Sequence, residues 1–504
     1  MQYVLGIDIG TSGTKTVLFS ADGQTIASYT GEYSLAQPRN GWAEQNPEDW
    51  WEATVQGIRY VLEKSGIHAE AIQGIGLSGQ MHGLVLLDER NEILRPCIIW
   101  ADQRTGEEVL AMEREFGKEK MIAITANPPM TGFTAAKLLW VKRNEEDIFK
   151  QVRHVLLPKD YIRFKLTGTY VSDVSDASGM QMMDVKNRTW SSEVLEYLGI
   201  SENVLPKLIE SVECSGEVTA NAAAETGLAE DTRVVGGAAD NAAAAIGTGI
   251  YKTGRAFTSI GTSAVVYTVT DYPEIDAEGR VHTLCASVPG KWTLMSCTQG
   301  AGLSLKWLRD RVFAGGTYDR MTSFAQEVPI GSEHLIYLPY LMGERSPHLD
   351  PDARGVFFGL SAVHGQGELV RAVMEGVAYS QKECVDIFLE NGADISDMII
   401  TGGGGRSKLW RQMLADLYGV PVRTLREDEG AALGAAILAA VGCGLYASIE
   451  EACEKIVLFE EPQMPNHEAY EQYKPYYQLY KSLYPKLQDA YKTLANIGGN
   501  HALF

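Results

Sequence analysis

Apolar residues fill Val4 to Ile9, the polar and glycine residues Gly10-Thr11-Ser12-Gly13 interrupt them, and an apolar run resumes from Thr16 to Phe19. That pattern predicts a buried strand, a tight turn and a returning strand, with a further hairpin turn at Asp22-Gly23. Asn46-Pro47 then reads as a helix start, Asn as the cap and Pro at the first helical position, and Trp50, Ala53, Ile58, Val61 and Leu62 follow at helical spacing. A strand from Ile72 to Leu77 ends in Ser78-Gly79-Gln80-Met81-His82-Gly83. Another, from Val234, ends in Gly236-Gly237-Ala238-Ala239-Asp240 before an Ala-rich helix through Ala245. Strands alternating with helices place the chain in the α/β class.

The second half repeats this plan. Ser259-Ile260-Gly261-Thr262-Ser263-Ala264-Val265 is again strand, Gly-Thr-Ser turn and strand, 251 positions later (Gly261 against Gly10). Met398 to Thr401 is a strand ending in Gly402-Gly403-Gly404-Gly405, followed by a helical pattern from Ser407 through Leu417, and Gly430 to Ala436 opens a second small-residue helix. Three devices recurring in one order at so long a period are unlike a solenoid, and predict two related lobes facing each other across a cleft. The boundary falls near Gly247 to Gly254, giving a first lobe over 1–247, a second over 248–450 and a tail over 451–504. From His467 the tail is rich in Tyr and interrupted by Pro475 and Pro485, which predicts a pair of short helices packed on a lobe.

Length and composition agree with this size. The chain has 504 residues, 45% hydrophobic and 22% charged, enough for large cores without staples. Its 44 Lys and Arg against 65 Asp and Glu give a formal charge of -21, which repels nucleic-acid backbones and anionic membranes, so neither is an expected partner. No apolar run is long enough to span a bilayer, and the first residues enter a strand directly, with no basic region or cleavage site; a cytoplasmic protein is expected. Seven scattered cysteines without a C-x-x-C pair indicate neither a zinc site nor a disulfide framework.

No P-loop motif occurs, and the one formal G-x-G-x-x-G, at Gly74, Gly76 and Gly79, leads into the strand-like Leu84 to Leu87 rather than a helix, which excludes a dinucleotide fold. The two Gly-Thr-Ser turns carry more. Their backbone N–H groups, with the hydroxyls of Thr11, Ser12, Thr262 and Ser263, can ring a triphosphate from both lobes. Asp8 and Asp240 each end an apolar strand, where a carboxylate needs a cation or a hydrogen-bond donor. Asp8, beside the first turn, is placed to hold Mg²⁺ through water, and Asp240, at a helix start, to take a proton from a hydroxyl. The tetraglycine lets a flat ligand approach the backbone and reads as an adenine platform. Trp100-Ala101-Asp102-Gln103-Arg104 alternates so that an extended segment would present its polar groups to one side.

Taken together, Gly6-Ile7-Asp8-Ile9-Gly10-Thr11-Ser12, Lys137-Leu138-Leu139-Trp140, Gly237 to Ala243, Gly355 to Leu360 with Glu375, and Gly402 to Ser407 resemble the FGGY carbohydrate kinases, in family order from residue 6 to about residue 440. Gln80-Met81-His82-Gly83, Trp100 to Arg104 and Gly343 to His348 look like the xylulose-acting members, and gluconate-acting members share part of that pattern. The resemblance implies two ribonuclease-H-like, actin-like lobes closing on a sugar held mainly by the first and ATP held mainly by the second. It further implies Asp240 as base, Asp8 as the magnesium-side acid, and Gln80, Met81, His82, Trp100, Asp102 and Asn241 at the sugar. Gly261, Thr262, Gly302, Lys306, Gly403, Gly404 and Ser407 would meet the nucleotide, and a homodimer is suggested.

Two departures from the family pattern stand out. Ala238 and Ala239 occupy positions where glycine is common, which requires negative φ at both, and Asn127-Pro128-Pro129-Met130 differs from the xylulose-acting pattern. The expected reaction is transfer of the γ-phosphoryl group of ATP to the terminal hydroxyl of D-xylulose. The alternatives are another sugar kinase of the family, acting on gluconate or a different ketose, or a non-catalytic actin-like ATP-binding protein.

Overall fold

A computed structural model describes residues 2–427 and 429–497. The first lobe is built on a seven-stranded sheet. Strands β1 (Tyr3–Ile9), β2 (Gly13–Ser20) and β3 (Thr25–Glu32) form an antiparallel meander, helix α1 (Pro47–Ser65) follows, and β4 (Ile72–Gly79) lies parallel to β1. Asn46 caps α1 by accepting the Glu48 N–H, with Pro47 in the first turn. After α2 (Pro158–Thr167) the chain adds β5 (Cys214–Glu217), β6 (Arg233–Val235) and the two-residue β7 (Ala238–Ala239), for the order β5-β6-β4-β1-β2-β3 with β7 also on β4. Helix α3 (Asp240–Gly247) leaves directly from β7.

The second lobe repeats the arrangement. Strands β8 (Gly254–Ile260) and β9 (Ala264–Thr270) form the hairpin, β10 (His282–Cys285) and β11 (Trp292–Thr298) extend it, and helices α4 (Gly302–Trp307) and α5 (Gln366–Glu390) follow. Then β12 (Ile395–Thr401) lies parallel to β8, α6 (Lys408–Tyr418) leads to β13 (Val422–Arg423), and the order is β10-β11-β9-β8-β12-β13. In each half a hairpin strand pairs in parallel with the strand that ends in a Gly-rich loop, so the duplication read from the two Gly-Thr-Ser turns is a duplication of ribonuclease-H-like topology.

Between the sheets lie α3 and α7 (Gly430–Gly442), whose small residues let backbones nearly touch. A Cβ at Gly434 would stand 1.7 Å from the Ala243 carbonyl oxygen, and one at Gly76 on β4 would stand 1.8 Å from that of Ala435. An apolar cluster containing Val4, Val17, Ala243, Phe257, Ile399 and Ile437 joins the sheets across these helices. Helix α8 (Ile449–Ile456) packs on α7, and α9 (His467–Asn496) is the last helix among the described residues.

The tail differs from the expected pair of short helices. Helix α9 runs 30 residues through Pro475 and Pro485, because Tyr473, Tyr477, Tyr480, Tyr484 and Tyr491 form one buried stripe on the second lobe's core. That burial outweighs the two missing backbone hydrogen bonds. Residues 498–504 of the expected tail lie outside the described residues. Trp100 to Arg104 also departs from the extended reading. The segment is a pair of turns, since Asp102 accepts the backbone N–H of Arg104 as well as its side chain.

Candidate active site

Asp8, next to last on β1, pairs with Ser78 on β4, and Ser78 pairs on its other side with Ala238 on β7. The register sets Asp8 and Ala238 about two strand spacings apart, roughly 10 Å, and Asp240 follows two residues later at the same end of the sheet. Both are partly exposed at the cleft. Asp240 opens α3 and accepts the Asn241 backbone N–H at 2.6 Å and its side-chain amide at 2.8 Å. Burial pushes the Asp240 carboxyl up to about 7, with the neighbouring Asp8 charge adding to the rise and the Asn241 donors opposing it. Asp8 is also raised, by burial, while the Ser78 hydroxyl at 2.9 Å and the charge of Lys15 pull it back. Ala239 sits at φ -53, and neither it nor Ala238 has positive φ, so the two alanines fit without strain.

The loop after β4 carries Gln80, Met81 and His82, all buried. Gln80 donates to Gln45 at 2.8 Å and Gln45 donates to the Thr11 carbonyl at 2.7 Å, so this amide pair anchors the first Gly-Thr-Ser turn. His82 adopts φ 67, a left-handed conformation held in place because its carbonyl accepts from Lys137 Nζ at 2.8 Å and Thr134 Oγ1 at 3.1 Å. Its Nδ1 meets the Gly179 carbonyl at 2.7 Å, and burial first, then nearby cations, keep the imidazole neutral. Nδ1 is therefore the donor and Nε2 a free acceptor.

Trp100 reaches back to donate from Nε1 to Thr11 Oγ1 at 2.9 Å. Asp102 is fully buried, taking a two-point contact from Arg104 and the Ala43 N–H at 2.6 Å, so its carboxylate is consumed inside the protein and does not face the cleft. Of the expected sugar contacts, Asn241 hydrogen-bonds Asp240 and lines a cavity with Met81, His82 follows Met81 in the same loop, and Gln80, Trp100 and Asp102 bond to the surrounding loops.

On the second lobe, Gly261, Thr262 and Ser263 are exposed at the hairpin tip. Gly302 N–H donates to the Gly261 carbonyl at 2.9 Å and Leu303 N–H to that of Thr262 at 3.0 Å, docking the start of α4 onto the turn. Lys306 lies one turn along α4, its exposed ammonium paired with Asp310 at 2.5 Å. The tetraglycine wraps the end of β8, and a Cβ at Gly403 would meet open space. Ser407 caps α6 by accepting the Trp410 N–H.

Lys15, on β2 opposite Asp8, bridges the lobes through Glu429 at 2.5 Å. Sequence reasoning left several cleft residues unassigned. Lys137 is wholly buried and burial pushes its ammonium down to about 7. His282, on β10, meets Asn127 of the first lobe at 2.8 Å and lies against Phe133, which in turn packs on His82. Burial depresses both histidines and the Arg345 charge adds to it, and the Arg345 Nε has no hydrogen-bond partner among the described residues. Gly-Glu-Arg-Ser-Pro-His was visible as a motif, but only the fold shows that it brings Arg345 to one histidine of each lobe.

Two ribonuclease-H-like lobes with a Gly-Thr-Ser turn each and paired aspartates between them define the actin-like class of folds. Within it, residues 3–247 match the N-terminal domain and residues 256–443 the C-terminal domain of the FGGY family of carbohydrate kinases; the chain belongs to this family and is a sugar kinase. It is 38% identical to a xylulose kinase of Bacillus subtilis over 99% of this chain and 100% of the relative. A gluconokinase of the same organism is 31% identical over 98% of both chains. The crystal structure of ligand-bound xylulose kinase from Lactobacillus acidophilus superposes with a TM-score of 0.94 at 29% identity, covering 98% of this chain and 100% of that one.

Proposed function

We propose that the protein transfers the γ-phosphoryl group of ATP to the terminal hydroxyl of D-xylulose, giving D-xylulose 5-phosphate and ADP. The observation that carries the reading is the convergence of Asp8 and Asp240 at one end of the first-lobe sheet, in a chain whose curated relatives at 36 to 38% identity include several xylulose kinases. Asp240 receives the proton of the attacking hydroxyl as its oxygen bonds to the γ-phosphorus, and the bond from that phosphorus to the bridging oxygen breaks, releasing ADP. A base with a pKa near 7 is half ionised at neutral pH and matched to this task. The neutral His82 offers Nε2 as acceptor to a second sugar hydroxyl, and the Asn241 amide holds the Asp240 carboxylate toward the cleft.

The Thr11-Ser12 and Thr262-Ser263 turns and the Gly403-Gly404 backbone supply donors for the phosphates and room for the adenine. Among the described residues no cluster of three or more metal-binding side chains occurs. Two carboxylates that repel each other suit a hydrated Mg²⁺ carried by the nucleotide, which needs only one or two protein carboxylates. Asp8 would hold that ion through water, and it would neutralise charge on the phosphates. No described helix is long and apolar enough to cross a membrane.

A panel of xylulose, ribulose, gluconate, glycerol and fructose, read by ADP release, tests the reading. Xylulose should be favoured by at least ten-fold in kcat/KM, and a preference for gluconate would replace the substrate while leaving the reaction in place.

A further inference from the structure

Strand β7, which carries the chain into Asp240, is only two residues long and pairs with β4 alone. So short a ladder holds one edge of the segment, and the other edge needs separate partners. They come from a buried ionic cluster behind the strand. The Ala239 N–H, one peptide before Asp240, donates to Ser175 Oγ at 3.2 Å, and that hydroxyl donates to Asp173 Oδ2 at 2.5 Å. Asp173 Oδ2 also accepts the Ser175 N–H at 2.9 Å and Ser211 Oγ at 3.1 Å, while its other oxygen meets Lys159 Nζ at 2.8 Å.

Lys159 in turn contacts Asp160 at 2.9 Å and Asp176 at 3.2 Å. Arg163, on the same face of α2, binds Asp160 and the Val171 carbonyl through Nη1, and its Nη2 donates to the Gly236 carbonyl at the start of the turn into β7. Lys159, Asp160, Arg163, Asp173, Ser175 and Asp176 are all at most 1% exposed. The ionisable groups lie inside the protein, and Ser175 lines a small cavity shared with Met81, Ala239 and Asn241.

Burying five charged groups together is costly, and apolar side chains of the same volume would stabilise the lobe at least as well. What the cluster supplies that an apolar core cannot is a pair of fixed hydrogen bonds, to the Ala239 N–H and the Gly236 carbonyl, on the backbone leading into Asp240. We propose that Ser175 is a positioning residue for the catalytic aspartate: clamped by the Asp173–Lys159 pair, it fixes the Ala239 peptide and thereby the direction in which Asp240 presents its carboxylate to the sugar hydroxyl. The inference rests on Asp240 being the base. Misplacing a base by a fraction of an ångström weakens the transition state far more than ground-state binding. The clamp therefore acts on kcat.

The test is Ser175→Ala, with Ser175→Thr restoring the hydroxyl, Asp173→Asn loosening the clamp, and Asp240→Asn measured alongside. Expected are a fall in kcat of ten-fold or more for Ser175→Ala with the xylulose KM within about two-fold, recovery in Ser175→Thr, a loss in the same direction for Asp173→Asn, and faster amide exchange at Ala239. Unchanged kcat in Ser175→Ala, or kcat and KM lost together in proportion to the melting temperature without rescue by threonine, would overturn it. Should Asp240→Asn itself keep near-normal turnover, the fault lies with the assignment of the base; an inactive Asp240→Asn beside a normal Ser175→Ala removes only the clamp.

Discussion

The raised carboxyl of Asp240 has a consequence for stability that can be worked through from the structure. An aspartate ordinarily titrates near 3.8, and in the folded protein this one is pushed up to about 7. Between those values the folded chain holds a proton that the unfolded chain has released, so stability falls as pH rises through that window and the loss is complete above it. At about 1.4 kcal/mol per pH unit, a three-unit shift corresponds to about 4 kcal/mol. Asp240 is partly exposed to the cleft, and water there screens the charge, which reduces the figure to about 2 kcal/mol.

Asp240→Asn removes the titrating group and keeps the amide-sized side chain. Relative to the native protein, the variant should gain about 2 kcal/mol of stability on going from pH 4.5 to pH 8, with the groups that do not interact with Asp240 cancelling in the comparison. Urea midpoints of both proteins at half-unit intervals, without ligands, read this directly. Parallel stability curves across the window would refute the claim that burial and Asp8 hold this carboxyl high, and a variant that grew relatively weaker toward pH 8 would reverse its sign.

The same shift predicts that log kcat/KM for xylulose rises with unit slope up to a pH near 7 and then levels, and that Asp8→Asn moves this limb to lower pH by removing a like charge; a flat profile from pH 5 to 8 would exclude Asp240 as the base. Lys137→Met leaves the Gly132 carbonyl without its side-chain donor and the His82 carbonyl with Thr134 alone, and a ten-fold or larger rise in sugar KM with little change in ATP KM is expected in initial-rate assays. Gly434→Val drives a side chain into the Ala243 backbone where α3 and α7 cross, and should abolish cooperative melting or lower the midpoint by more than ten degrees in differential scanning calorimetry.

Much of this was legible because the chemistry sits at the ends of regular elements. Asn46-Pro47 names a helix start by its own hydrogen bonds, and Gly10 and Gly261 announce equivalent hairpins, so the two-lobe plan follows from local pattern. Asp8 and Asp240 were legible as the polar ends of apolar strands. Where reading failed, a tertiary contact had overruled a local preference. The prolines at 475 and 485 say stop, yet a stripe of tyrosines buried on the second lobe carries one helix through both. Asp102 alternates with Trp100 and Arg104 as a strand would, but Arg104 folds back on it. The cluster of Lys159, Asp173 and Asp176, and the approach of Arg345 to two histidines of different lobes, join residues far apart in the chain and leave no periodic trace.

The most direct test of the proposed chemistry is a rapid-mixing single turnover of Asp240→Asn with xylulose and Mg-ATP, paired with calorimetric titration of the sugar. Turnover reduced by at least a thousand-fold while the sugar still binds within a few-fold of the native affinity is the outcome expected if this side chain takes the hydroxyl proton. A variant that binds sugar and still transfers phosphate at close to the native rate would contradict it.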